Sequence, residues 1–322
     1  MASKINPEVA ALHVEKALQI ASENVSTELS AEWDELVEVR SRQISSQLEP
    51  FVYRSSRWVV LFHVSLPPEL KGYVAPDINL APDDHDFESV IRLNISLVTW
   101  SNPGSSVILI TDQNFLANHK ADHLNIVRIE INPAEIMFER VWCMAAMIRI
   151  LSPNMTAFFL DSDAFLVNNA SVFDALDFEL ALTYRLDRAL MPINEGVIIA
   201  KVGDRNLTKT FFDSYLATYV NLDSSGFLQE LYPSLRRWRG GQLSLNAVSD
   251  FYINLPEQDK SKPKLIQLPC ERFNLTVARE TDIHQEAVNQ ALVVHLKGNR
   301  KSWIYKLRTT LKNSRGYVGL NS

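Results

Sequence analysis

The chain has 322 residues, 46% of them hydrophobic and 22% charged, with a formal net charge of −6. Such proportions fit a soluble globular protein with one large core and room for an appendage. The negative balance, with no dense basic stripe, argues against a nucleic-acid partner. Two cysteines, Cys143 and Cys270, are too few for a disulfide framework, and no apolar run reaches the length of a membrane span.

Taken in order, residues 5 to 49 carry apolar positions at helical spacing, first Val9, Leu12 and Leu18, then Leu29, Trp33 and Leu36, which predicts two amphipathic helices. Ser30 ahead of Trp33-Asp34 reads as a helix start. We expect residues 1–55 to form an N-terminal helical appendage, packed on the main domain or offered to a protein partner, and residues 56–322 to form the main domain. Trp58 to Leu66 is the first buried strand, ended by Pro67-Pro68, and residues 67 to 86 read as a long loop. A helix over Phe87 to Trp100, a strand over Val107 to Thr111 ending at Asp112, and a strand over Ile126 to Ile131 follow. Pro133 to Leu151 is an apolar helix whose notable charges are Arg140 and Arg149, with Cys143 a core residue. Ala157 to Leu160 is the central strand; Leu180 to Arg185 and Gly196 to Lys201 are two more. Leu207 to Leu222 is a helix, 223 to 240 irregular, and Gly241 to Phe251 a helix. Lys264 to Leu268 and Ala291 to His295 read as strands, and Trp303 to Leu311 as a helix. Alternating strands and helices predict a mixed, mostly parallel α/β sheet with helices on both faces. Ligands of such sheets sit at the carboxyl ends of strands, the shared address of Asp112, Asp161 and Asp163. There is no P-loop and no G-x-G-x-x-G.

The chemistry centres on Thr156 to Asn168, where a short apolar run ends in Asp161-Ser162-Asp163. Two carboxylates at a buried strand end need a compensating cation. As i and i+2 they can aim at one point, a donor set for a hard divalent ion; a solvated turn has the same spelling. His295 ends a strand and suits the place of a third ligand. Gly298 allows close backbone approach to an anion, and Lys297, Arg300 and Lys301 can neutralise phosphate. Asn194-Glu195-Gly196 stands at a strand entrance. Gly240-Gly241-Gln242 opens a helix in this reading, with Gln242 at the first turn near free N–H groups.

Five segments together resemble a known family. Arg140 and the stretch I-L-S-P-N-M-T-A-F-F-L-D-S-D-A-F-L-V that follows it are similar to the "R…LP…YLDaDvlv" pattern of the glycogenin and bacterial lipopolysaccharide galactosyltransferase family, which are retaining GT-A glycosyltransferases with a Rossmann-like sheet. Asn194 to Ile199 is similar to its N-S-G-V-x-L, Gly241 to Asn246 stands where it has D-Q-D-x-L-N, Leu268-Pro269 to Asn274 resembles its L-P…W-N, and His295-x-x-Gly298-x-x-Lys301-x-Trp303 resembles its H-x-x-G-x-x-K-P-W. The order is preserved over roughly residues 87 to 305. Gly241 and Leu243 replace two aspartates, Ser302 replaces a proline, and Phe62-His63-Val64-Ser65 does not match the family's first strand end.

The resemblance implies that Asp161, Asp163 and His295 bind Mn²⁺ or Mg²⁺, that Lys301 and Gly298 hold the donor diphosphate, and that Asp112 and Arg140 contact donor nucleotide or sugar. It implies that Asp187 contacts a donor hydroxyl and that Asn194 and Gln242 face the reacting sugar. The expected partners are a nucleotide-sugar donor, a UDP-sugar, and a glycan or other hydroxyl acceptor. A non-catalytic sugar-nucleotide-binding relative, and an inverting transferase using Glu195 or Asp187 as base, stay open as alternatives. The N-terminus lacks a signal-peptide pattern, so a cytoplasmic location is expected. The sequons at Asn24, Asn94, Asn154, Asn169, Asn206 and Asn274 keep the Golgi lumen as the alternative for a chain cut from its anchor.

Overall fold

A computed structural model describes residues 7–65, 87–112, 123–186, 191–203, 205–226 and 233–317. The predicted loop over 67–86 and Asp187 lie outside the described residues.

The strands are β1 (Arg57–His63), β2 (Ser106–Thr111), β3 (Leu124–Arg128), β4 (Thr156–Asp161), β5 (Ala164–Leu166), β6 (Leu180–Tyr184), β7 (Ile193–Lys201), β8 (Leu265–Pro269), β9 (Leu275–Thr276) and β10 (Val293–His295). Seven make one sheet in the order β3-β2-β1-β4-β7-β6-β8, and β5-β10-β9 make a second. In the large sheet only β7 runs against the rest, antiparallel to β4 and β6. The expected mixed, mostly parallel sheet is present. Sequence order runs outward from β1 through β2 to β3, then returns to β4 on the other side of β1. That reversal makes β1/β4 a topological switch point, where open α/β sheets take ligands.

β1 and β4 read as continuous apolar runs because both sheet faces are covered. Alternate residues divide between two cores. Trp58, Val60, Phe62, Ala157 and Phe159 join one with the helices Pro7–Glu23, Ala31–Ser45, Ile136–Ile150, Leu207–Ser224 and Pro233–Asn254. Val59, Leu61, Phe158 and Leu160 join the other, against Ile91, Ile95 and Val98 of the helix Phe87–Ser101. The small sheet lies on this second side. Phe165 and Val294 turn away from it toward Leu307 and Leu311 of the helix Ile304–Arg315. Burying each Leu, Ile or Phe contributes about 1.5–3 kcal/mol.

The N-terminal helices pack on the main sheet's helical face. Ala17, Ala21, Val37 and Ile44 share the core of Trp58 and Phe159. Trp33 meets Phe138 and Trp142 edge-on, at 5.4 and 5.7 Å. Ser30 caps the second helix, its hydroxyl accepting from the Trp33 N–H at 3.3 Å.

One expectation is corrected. The helix read as starting at Gly241 begins at Pro233 and runs to Asn254, so 233–240 is helical rather than irregular and Gly240-Gly241 is interior. Among the described residues no helix is long and apolar enough to cross a membrane.

Candidate metal centre

Strand register brings three distant side chains together. β4 ends on Asp161, and the chain turns through Ser162 and Asp163 into β5. β10 runs antiparallel to β5 with His295 opposite Ala164, and the Leu296 N–H donates to the Asp163 carbonyl at 3.0 Å. One ligand atom from each of Asp161, Asp163 and His295 lies within 4.8 Å of the others. His295 Nε2 is 3.1 Å from Asp163 Oδ1 and 3.5 Å from Asp161 Oδ2. β7 passes this cluster at Gly196, where a Cβ would stand 2.3 Å from His295 Cε1 and 2.8 Å from Asp161 Oδ2. The imidazole occupies the volume that any side chain at 196 would need.

A chain of buried hydrogen bonds assigns the histidine tautomer. The Thr183 hydroxyl donates to a carbonyl, Asn194 O at 3.0 Å or Val197 O at 3.4 Å. Its oxygen is then the acceptor for Asn274 Nδ2, at 3.0 Å. This turns Asn274 Oδ1 toward His295 Nδ1, at 2.9 Å, so Nδ1 carries the proton. Burial and then the charge of Lys297 push the His295 pKa down, which keeps the ring neutral. Nε2 therefore presents a lone pair to two carboxylates. Three acceptors converging without a proton repel one another, and one nitrogen with two carboxylates is a donor set for a divalent cation. A second partner fixing the free nitrogen's orientation is the usual support of a metal-bound histidine. The residues present fit the metal that the resemblance implies.

Charges around the cluster are arranged for it. Burial alone would raise the Asp163 carboxyl, but Lys301, 3.3 Å from Oδ2, holds it well below the usual carboxylate range. Lys301 follows Gly298, whose φ of 61° only glycine adopts without strain, in the short 3₁₀ helix Gly298–Trp303. Lys297 donates to Asn194 Oδ1 at 2.9 Å, and loss of solvent pushes its pKa down to about 8 although Asp161 pulls it up. Arg140 pairs with Asp161 Oδ1 at 3.2 Å and with Glu195 Oε1 at 2.8 Å. Those two acids keep it charged against its burial.

The remaining expected residues fall as follows. Asp112 is buried beside the end of β1, accepting from the Ser65 N–H at 3.1 Å, while its other carboxylate oxygen is buried with no hydrogen-bond partner among the described residues. It lies two strands from Asp161, roughly 10 Å at the usual strand spacing. Asn194 is buried, with its amide oxygen taken by Lys297 and by the Gly196 N–H. Gln242 is half-buried inside a helix and its carbonyl accepts from Asn246 Nδ2 at 2.8 Å. The free N–H groups expected of a helix start are therefore not at Gln242. Asp187 is outside the described residues.

Sequence reasoning gave no site role to Asn274, Thr183 or Tyr215, and named Gly196 only as the glycine of a strand entrance. Asn274 ends the segment matched to L-P…W-N, which was the available signal. Glu195 was considered only as a base for inversion. An acid inside an otherwise apolar strand was its signal; Tyr215 carried none.

No protein-family model and no curated protein matches the chain. Among solved structures the chain is similar to the glycosyltransferase GlyE of Streptococcus pneumoniae TIGR4, with a TM-score of 0.43 and 12% identity over 78% of this chain. The match covers 56% of GlyE, little more than half its length.

Proposed function

We propose that the protein is a metal-dependent glycosyltransferase that moves a sugar from a nucleotide-diphosphate donor, a UDP-sugar, to a hydroxyl acceptor with retention. The observation that supports it best is the lone pair of His295 Nε2 turned toward Asp161 and Asp163 at the β1/β4 switch point. In this reading Asp161, Asp163 and His295 hold Mn²⁺, which when bound supplies positive charge to a leaving diphosphate. Lys301 adds a second cation beside Asp163, and the turn at Gly298 offers its backbone to phosphate oxygens. Asp112, with one oxygen lacking a partner among the described residues, accepts from the nucleoside. Arg140 and Asp187 bind the donor sugar, and Asn194 and Gln242 line the reacting face.

A thermal-shift series with UDP, UDP-sugars and other nucleotide diphosphates, each with and without Mn²⁺, tests this directly, because a ligand of the folded state raises the melting temperature. The expected result is stabilisation by a UDP-sugar that needs Mn²⁺. Asp163→Ala should melt cooperatively, lose that stabilisation and lose transfer. Transfer by this variant at the wild-type rate in chelator-treated buffer would rule the reading out.

A second reading, a sugar-nucleotide-binding relative without turnover, is favoured by one observation. Positions 241 and 243, aspartates in the family, are a glycine and a leucine buried in the core. Donor binding with no hydrolysis or transfer over a long incubation would select it.

A further inference from the structure

Two glycines, Gly240 and Gly241, sit inside the helix Pro233–Asn254, where glycine is a poor helix former. The volumes their side chains would need are already filled. A Cβ on Gly240 would stand 2.4 Å from Tyr219 Cε2, and one on Gly241 would stand 2.6 Å from Glu195 Oε1 and 2.9 Å from Oε2. The helix backbone lies directly against the Glu195 carboxylate. Glu195 is 4% exposed, on the strand between Asn194 and Gly196. One of its oxygens, Oε1, accepts from Tyr215 Oη and from Arg140 Nη1, both at 2.8 Å.

Arg140 is thus held twice by one residue. Nη1 bonds the Glu195 carboxylate, and Nη2 donates to the Glu195 carbonyl at 3.1 Å. The same Nη2 reaches Asp161 Oδ1 at 3.2 Å, while Asp161 Oδ2 faces His295 Nε2 at 3.5 Å. The two oxygens of Asp161 are divided between the guanidinium and the ligand cluster. A buried ion pair is replaceable by apolar packing as far as stability goes. Its presence here, with a glycine kept in a helix to make room, calls for a role other than packing.

We propose that Glu195 is a positioning residue for the metal centre. It fixes Arg140, and Arg140 holds Oδ1 of Asp161 so that Oδ2 turns to the ion. This rests on the reading of Asp161, Asp163 and His295 as a divalent-metal site. The Glu195 carboxylate fills the space that position 241 leaves open.

The test is Mn²⁺ affinity, measured from free Mn²⁺ by electron paramagnetic resonance during titration of the full chain, with no donor present. Glu195→Gln keeps the shape and removes the charge. Gly241→Ala keeps every charge and pushes the carboxylate. Both should weaken Mn²⁺ binding by roughly 10- to 100-fold, the range for partners of metal ligands, with cooperative melting retained in chelator. A role confined to packing would lower the melting temperature and leave the affinity of the folded protein unchanged. If the wild type binds Mn²⁺ and both variants bind it equally well, the proposal fails while the metal site stands. If the wild type binds none, the metal reading fails and the proposal with it. Should Glu195→Gln not fold, Gly241→Ala decides alone.

Discussion

Arg140 and Arg149 share one helix, Ile136–Ile150, and both side chains are closed to solvent, at 5% and 4% exposure. Each gathers carboxylates, but of different kinds. Arg149 meets Asp34 at 2.7 Å, Glu38 at 2.8 Å and Asp213 at 3.0 Å. Two of those acids are about half exposed, so water carries much of their charge, and the cluster ties the helix Ala31–Ser45 and the helix Leu207–Ser224 to the one between them. Arg140 meets Glu195, which is buried, and Asp161, which the ligand cluster shares. Arg149's acids are bonded and, Asp213 apart, wet; of Arg140's, Glu195 is dry and Asp161, at 31% exposure, is poised toward a third group. One arginine fastens elements, and the other orients a donor atom.

The largest effect expected from this contrast comes from removing the dry pair's cation. Arg140→Met leaves the Glu195 carboxylate buried with Tyr215 as its one remaining side-chain donor among the described residues, and frees Asp161. Breaking a buried pair from one side costs about 3–5 kcal/mol. Urea unfolding should show a lower midpoint at an unchanged slope, and Mn²⁺ affinity should fall as well. A loss below about 1 kcal/mol would mean that Glu195 takes a proton at little cost and that the two arginines differ less than their surroundings suggest.

Proton uptake sharpens the same contrast between dry and wet ends. His63 closes β1 beside the cluster, and burial, with Lys301 adding to it, lowers its pKa from 6.5 to about 4. The unfolded chain takes up this proton near 6.5 and the folded one only near 4. Between those values the unfolded state binds more protons, so stability falls as the pH drops through that window. The whole difference is about 3 kcal/mol at roughly 1.4 kcal/mol for each pH unit. Unfolding free energies measured in chelator across the window should decline more steeply for the wild type than for His63→Gln. Parallel curves for the two proteins would remove His63 as the source.

Much of this is legible in the amino-acid sequence. β1, β2 and β4 stand out because strands covered on both faces are continuous apolar runs, and Asp161 with Asp163 stands out because carboxylates end one of them. His295 was found through its neighbours Gly298, Lys301 and Trp303. The direction of β7 was not readable, since an apolar run spells the same either way along a sheet. β5 and β9, with 3 and 2 residues, are too short to leave a pattern. The start of the helix Pro233–Asn254 is hidden in the sequence, because a glycine pair such as Gly240-Gly241 spells a helix beginning. Those glycines answer to Tyr219 and Glu195, contacts made by tertiary packing. The partnership of Arg140 with Glu195 spans 55 positions and depends on which strand lies beside which.

The smallest effect expected lies at Arg149, and it tests whether the N-terminal helices are part of the working fold. Arg149→Met removes the partner of Asp34, Glu38 and Asp213, but Asp34 and Glu38, 52% and 46% exposed, can return to water. Asp213 keeps Lys209 at 2.8 Å. Exposed pairs contribute about 0–1 kcal/mol each and the more buried Asp213 pair somewhat more, so the variant should lose about 1–2 kcal/mol in urea unfolding. Trp33 still packs against Phe138 and Trp142, and Val37 and Ile44 remain in the core, so the helices should stay docked. Mn²⁺ affinity should match the wild type, because none of the groups around Arg149 touches the Asp161–Asp163–His295 cluster. A change in metal affinity as large as that of Arg140→Met would show that the two ends of the helix Ile136–Ile150 are coupled through it, and the division between a fastening arginine and an orienting one would fall.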